Sequence, residues 1–385
     1  MSENYGNVPI LTQRLSFSNA YSYMNRSRPT GKRQVTILDI ARETGLSKST
    51  VSRALNTPGQ VSAEALQKVQ SKSRMLNYIP DSHARSLVTQ RPFAFAAVVP
   101  TIDNAIFAAL MHGFQTAMAN QGFHVLVAAN NYSIKEEFEQ LRTLAQLNIG
   151  GVVLVGSSRD PEAYRFLESR RIPYVITSSY SGSVPSIGWD NEAEAHRLAD
   201  HLLDLGHRRL AVIGGISVDN DRAAARIAGY HAAMRARGVE PDAALTLECR
   251  YDIPSSRLAM RRLLDQPQRP TAVVCGNDVQ AFGAILECQA QGVRIPQDIS
   301  VTGFDDLEMA AHFQPALTTM RSPATQMGRR AADMLLAFNE GLPMPTSTRL
   351  DLELILRRTT GPAPLPSPTD LGAGAPILSS RVNPK

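Results

Sequence analysis

The sequence predicts a small all-α helix-turn-helix domain followed by a two-lobed α/β domain with parallel sheets. Three observations carry that reading. Residues 36–78 hold three short amphipathic patterns separated by glycine and proline breaks. From residue 93 onward, short β-branched runs alternate with helix-length segments. The chain of 385 residues is 43% hydrophobic, and a chain of this length divides into about two or three units.

Residues 1–31 are rich in Ser, Asn, Tyr and Arg without hydrophobic periodicity, and read as a disordered leader. Met24 or a nearby position is the expected functional start, because MNRSRPTGKRQ leads directly into the patterned region. Thr36 and Asp39 form an N-terminal capping pattern, and Ile37, Ile40, Ala41 and Thr44 line one side of a first helix. Gly45 ends it, as a residue without Cβ suits a left-handed turn. Ser47 caps a second helix carrying Val51, Ala54 and Leu55, which Asn56-Thr57-Pro58-Gly59 stops. Ser62 caps a third, with Ala65, Leu66, Val69, Leu76 and nearby Tyr78 available for packing.

Beyond residue 93 strands are expected at 94–99, 125–128, 152–155, 174–177, 210–213, 272–275 and 299–302. Helices are expected at 105–120, 135–147, 160–170, 191–205, 221–237, 255–265 and 278–291. That is more strands than a compact single sheet holds, so two lobes follow, with a cleft between them as the natural ligand site. Residues 361–385 are rich in Pro and Gly and read as a disordered tail. The expected boundaries are therefore 1–31, 32–79, 80–91 as a linker, 92–360 and 361–385.

Charge is unevenly spread. The net value is +5, but residues 32–91 hold ten basic and four acidic side chains, and residues 92–360 hold 25 basic and 29 acidic ones. A cationic module ahead of a mildly acidic body fits a polyanionic partner. The motif agrees: a helix, a glycine turn and a second capped helix lie within Val35–Asn56, and such a second helix presents its N-terminal residues to base edges. Those residues are Lys48, Ser49 and Thr50, with Arg53 a turn further on. Lys and Arg donate to guanine, and Ser serves several bases.

VTILDIARETGLSKSTVSRALN resembles the DNA-binding signature of the LacI/GalR family, and the likeness continues through VSAEALQKVQ, LNYIP and DSHARSLVTQ. The resemblance implies that residues 80–91 are a hinge that becomes helical on double-stranded operator DNA. Paired leucines of a homodimer would enter the minor groove there. The matching positions are Ala84, Arg85 and Leu87, with Asp81 in place of a frequent Asn. A helix of ~8 residues is not stable alone, so DNA and the second subunit would supply the ordering energy.

LGHRRLAVIGG, RIAGY, CGNDVQAFGA, GVRIPQDISVTGFDD and PALTTMRSP look like landmarks of the same family's effector domain, which is similar to type I periplasmic binding proteins. On that resemblance Ile106, Phe107, Asp190, Arg226, Tyr251 and Asp278 are the expected effector contacts, and Arg222, one turn before Arg226 on the same helix face, is expected beside them by its spacing. Asp278 and Arg226 would exchange charged hydrogen bonds with ligand oxygens, while Phe107 and Tyr251 would cover a sugar face. Trp189, the single tryptophan, stands beside Asp190.

Several classes are excluded. No apolar stretch approaches the ~18 residues of a membrane span, and no basic stretch followed by an apolar core marks a secretory signal. Cys249, Cys275 and Cys288 have neither disulfide-scaffold nor zinc spacing. No G-x-G-x-x-G opens a helix, and no Walker, HExxH or G-x-S-x-G motif occurs, so an enzyme is not expected. A transport receptor would explain residues 93–358 but leaves the helix-turn-helix without a use. No leucine heptad follows residue 358, so a tetramer built by the tail is not expected. The expectation is a cytoplasmic, DNA-bound homodimeric regulator controlled by a sugar, sugar acid or related metabolite, without metal or cofactor.

Overall fold

The computed structural model describes residues 35–78, 92, 94–343 and 347–365, in two compact units divided near residue 85. The leader 1–31, the hinge 80–91 and the tail beyond 365 lie outside the described residues.

Among the described residues, the first unit has three α-helices, α1 (Ile37–Thr44), α2 (Lys48–Asn56) and α3 (Ala63–Met75). The Thr36 amide and hydroxyl both donate to Asp39, at 2.8 and 2.7 Å, fixing the start of α1. Gly45 takes φ +68°, and Leu46 N–H reaches back to Ala41 O at 3.2 Å, closing the last turn. The side-chain oxygens of Ser47 and Ser62 accept from Thr50 N and Ala65 N, as expected of caps. Ile40, Ala41, Val51, Ala54 and Val69 form the core. Lys72 Nζ meets Glu43 at 3.1 Å, tying α3 to α1.

The second unit contains two six-stranded sheets. Its elements run β1 (Ala94–Val99), α4 (Ala105–Asn120), β2 (His124–Ala129), α5 (Ile134–Leu144), β3 (Ile149–Val155), α6 (Pro161–Ser169), β4 (Tyr174–Thr177) and β5 (Ser186–Gly188). There follow α7 (Asn191–Asp204), β6 (Leu210–Gly215), α8 (Asp221–Ala236), β7 (Thr246–Cys249), α9 (Ile253–Leu264), β8 (Ala272–Cys275), α10 (Asp278–Ala290) and β9 (Ser300–Asp305). The last elements are α11 (Glu308–His312), β10 (Thr318–Arg321), α12 (Ala324–Asn339), β11 (Ser347–Arg349) and β12 (Glu353–Ile355).

Strand orders are β11-β5-β4-β3-β1-β2 and β12-β10-β9-β8-β6-β7. All pairings are parallel except β10 with β12. The chain crosses between lobes three times: from β5 to α7, from β10 to α12, and from β11 to β12. Both lobes share one core cluster, in which Trp189 and Phe304 meet at 6.4 Å between ring centroids.

The alternation read from the sequence ends at strand 299–302, whereas the fold continues through β10, α12, β11 and β12. Helix α12 packs on α4 through small residues. A Cβ on Gly328 would stand 2.1 Å from Leu110 O, and one on Gly113 would stand 2.0 Å from Thr325 O. Close backbone approach replaces large apolar side chains there, which thins the periodic signal. The tail boundary also moves. Gly361 O accepts from the buried His207 side chain at 3.1 Å, and Ala363 N donates to Leu205 O, so these residues belong to the fold.

Candidate functional site

In the first unit, α2 presents Lys48, Ser49 and Arg53 to solvent, with Thr50 half-buried. The Ser47 hydroxyl shares hydrogen bonds of 2.8 Å with the Ser49 and Thr50 hydroxyls, and Arg53 Nε donates to Ser49 O at 3.4 Å. Cation and hydroxyl groups thus cluster on one end of a capped helix, where donors suit phosphate and base edges. Ala84, Arg85 and Leu87 lie outside the described residues.

In the second unit, a cleft opens where the carboxyl ends of both sheets converge. This is where ligands of parallel α/β sheets collect. Its walls come from successive strand ends: Asn104, Ile106 and Phe107 after β1, Tyr132 after β2, Ser178 after β4 and Trp189 after β5. The other lobe supplies Arg222 and Arg226 from α8, Tyr251 after β7, Asn277 after β8 and Asp305 at the end of β9.

The polar wall is built around Arg226. Its Nε donates to Asn191 Oδ1 at 3.0 Å and its Nη1 to Gly276 O at 2.6 Å. The guanidinium lies 3.6 Å over the Phe304 ring, and Nη2 is 4.0 Å from Asp305 Oδ1. Asp305 has φ +120°, a conformation unusual for any residue but glycine, which places its carboxylate at the cavity. Its neighbour Asp306 is held away by Arg321 and Arg357, at 2.7 and 2.6 Å. Burial pushes the Asp305 carboxyl up to about 6, opposed by Arg226.

Five of the seven expected contacts therefore meet at one cavity: Ile106, Phe107, Arg222, Arg226 and Tyr251. Asp190 and Asp278 are not on its wall. Asp190 caps α7 by accepting from Ala193 N at 3.0 Å. Asp278 is fully buried behind the wall, accepting from Leu307 N at 2.7 Å and Thr319 Oγ1 at 2.6 Å. It does not cap its helix, because Asn277 accepts from Gln280 N. Burial, with the nearby Asp305 charge, raises the Asp278 carboxyl to about 7. The acidic wall position belongs to Asp305, the third residue of the GFDD segment, a landmark in which the sequence singles out neither carboxylate. Tyr132 was also missed: it sits in a loop, where no periodicity marks it.

A latch spans the lobe boundary. Asp221 Oδ2 accepts from Ser157 N at 3.0 Å, Ser157 Oγ at 2.8 Å and Ser179 Oγ at 2.7 Å. Ser157 and Ser179 follow β3 and β4, whereas Asp221 begins α8 in the other lobe. Burial would raise the Asp221 carboxyl, but Arg222 and these donors hold it at about 2. A buried pair supports the latch from behind. Arg159 Nε meets Glu137 Oε1 at 2.8 Å, and Arg159 Nη2 donates to Gly156 O at 2.7 Å.

Known proteins match both units. Residues 36–81 match the family described as bacterial regulatory proteins, lacI family, and residues 199–360 match the periplasmic binding protein-like domain. The HTH-type transcriptional repressor CytR of Escherichia coli (strain K12) is 30% identical over 333 residues, covering 86% of this chain and 97% of that protein. The chain belongs to the LacI family. The HTH-type transcriptional regulator GntR of Pseudomonas aeruginosa is 33% identical over 343 residues, covering 87% of this chain and 97% of that protein. Among solved structures, a lac repressor dimer bound to operator and the anti-inducer ONPF superposes with a TM-score of 0.75 at 25% identity, over 86% of this chain and all of that one. The chain is thus a DNA-binding transcription regulator with an effector-binding domain, and not an enzyme. Among the described residues no helix is long and apolar enough to cross a membrane.

Proposed function

We propose that this LacI-family member is a repressor that binds a pseudo-palindromic operator as a homodimer and is controlled by a sugar or sugar derivative held between the lobes. Lys48, Ser49, Thr50 and Arg53 read base edges and phosphates from α2. Ala84, Arg85 and Leu87, in a hinge over 80–91, contact the minor groove at the operator centre. The working parts are the reading head over 32–79, that hinge, and an effector and dimerisation domain from 92, followed by a tail. The protein acts in the cytoplasm, on the nucleoid when bound to DNA.

The observation that best supports effector control is the interlobe cleft itself, with aromatic and charged walls drawn from both lobes. A ligand touching both lobes favours one arrangement of them, and a shift in lobe arrangement alters hinge spacing between subunits. DNA selected from a random pool by the full chain, followed by anisotropy titrations, tests the reading. Selected sites should be two-fold symmetric, and Leu87→Gly should weaken binding to them. Asymmetric sites, or a Leu87→Gly variant binding as tightly as the wild type, would remove the hinge and dimer assignments.

A further inference from the structure

Two guanidiniums share one wall of the cleft. Arg222 leaves the first turn of α8, and Arg226 follows one turn later on the same face. Gly156 makes room for the first of them. A Cβ there would stand 1.7 Å from Arg222 Nη1, and the φ of +74° already calls for glycine. The loop after β3 therefore yields its side-chain space to an arginine from the opposite lobe.

Neither guanidinium is saturated. Among the described residues Arg222 makes one side-chain hydrogen bond, from Nη1 to Asp221 Oδ1 at 3.1 Å. Arg226 uses Nε and Nη1 on Asn191 and Gly276, while Nη2 stands 4.0 Å from Asp305, beyond hydrogen-bond reach. The Arg222 and Arg226 side chains are only 11% and 8% exposed, so water meets little of either. Asp221 pairs with Arg222 through Oδ1 at 3.1 Å, while its Oδ2 is engaged by Ser157 and Ser179 and it lies outside the cavity lining. Asp305 is the one carboxylate among the lining residues.

A guanidinium only donates, so a neutral polyol leaves its remaining N–H groups with weak acceptors. A carboxylate supplies two coplanar oxygens that match the guanidinium fork. The second charge of a phosphate would stand against Asp305. Hydroxyls, in contrast, suit Asp305 and Asn277, and Phe107 and Trp189 offer flat apolar cover.

Resting on the reading of this cleft as the effector site, we infer that its ligand is a small polyhydroxylated carboxylate, a sugar acid, whose carboxylate is held by Arg222 together with Arg226. Arg222 is the specificity residue that separates acids from neutral sugars.

The test is calorimetric titration of the full chain with four- to six-carbon aldonates and uronates, each paired with its neutral alditol or aldose, and with glucose 6-phosphate. An acid should bind, with its neutral counterpart roughly tenfold or more weaker. Arg222→Gln should weaken the acid roughly 10- to 100-fold and erase the preference. Arg222→Lys, which keeps charge without the fork, should fall between. Phe107→Ala should weaken any ligand of the cleft, whatever its charge. A neutral sugar or the phosphate binding tightest, none of the acids binding, or an acid indifferent to Arg222→Gln while sensitive to Phe107→Ala, overturns the sugar-acid assignment and leaves the cleft as the site. An acid whose binding ignores both Arg222→Gln and Phe107→Ala overturns the cleft reading as well.

Discussion

Replacing Asp221 by Ala should open the cleft without unfolding the domain. The side chain accepts three hydrogen bonds from Ser157 and Ser179 across the lobe boundary, at 2.7 to 3.0 Å. Its carboxyl is held at about 2 instead of the ordinary 3.8, which corresponds to about 2.4 kcal/mol at 1.36 kcal/mol per pH unit. Arg222 lies on the same helix and does not bridge the lobes, so the interlobe part is smaller, about 1–2 kcal/mol. Because this carboxyl is depressed, its contribution is complete above pH ~4 and disappears only as pH falls toward ~2. At neutral pH the substitution therefore removes all of it, moving the closed-to-open ratio roughly 5- to 30-fold. Trp189 reports the change. It is the single tryptophan, 1% exposed and on the cavity wall, so acrylamide should quench its fluorescence poorly in the wild type and several-fold better in Asp221→Ala. The melting temperature should shift little, since the shared core is untouched. Unchanged quenching would show that these hydrogen bonds do not hold the lobes together.

Asp278 carries a pH effect of opposite sign. Its carboxyl is raised to about 7, so the folded state holds a proton that the unfolded chain has lost, and stability falls as pH rises. Between pH ~6 and ~8 this group removes about 1.4 kcal/mol, and Asp278→Asn should flatten the melting-temperature profile over that range; an equally steep profile would refute it. Gly45→Ala should destabilise the first unit by about 1 kcal/mol through φ alone, because nothing lies within 4 Å of the added Cβ. Hydrogen exchange of residues 37–56 should speed roughly fivefold, and no acceleration would show that the left-handed turn is not limiting. Lys48→Ala should relax base preference in a DNA-selection experiment and lower the salt slope of binding by about one. An unchanged preference would place base readout elsewhere.

Much of this organisation is legible in the chain because it rests on local rules. Gly45, Ser47 and Ser62 announce the three-helix unit through turn and cap chemistry, and each takes its expected position. The strands at 94–99, 152–155, 174–177, 210–213 and 272–275 are largely buried runs whose composition marks them, whereas the short β5 and the half-exposed β7 carry no such mark. The cleft was only partly legible. Arg222 and Arg226 fall on one helix face by spacing, but a carboxylate's direction depends on tertiary packing. Asp278 and Asp305 both stand near strand ends, yet Gly303 admits Asp278 beneath the sheet edge, since a Cβ there would lie 2.2 Å from its Oδ1. The positive φ at Asp305 then turns the other carboxylate to the cavity. Neither event has a signature in hydrophobic periodicity. The third crossing between lobes was hidden for a related reason: β11 is three residues long and pairs with β5 from more than 150 residues away.

Occupancy of the cleft should set DNA affinity, and this dependence can be measured. It is tested most directly by fluorescence anisotropy of the full chain on its selected DNA site, with and without a ligand identified by calorimetry, in the wild type and in Phe107→Ala. Ligand should change DNA affinity about 5- to 150-fold in the wild type, a coupling of ~1–3 kcal/mol, and Phe107→Ala should bind the same DNA without responding to ligand at that concentration. Identical DNA affinity with and without saturating ligand in the wild type would contradict it.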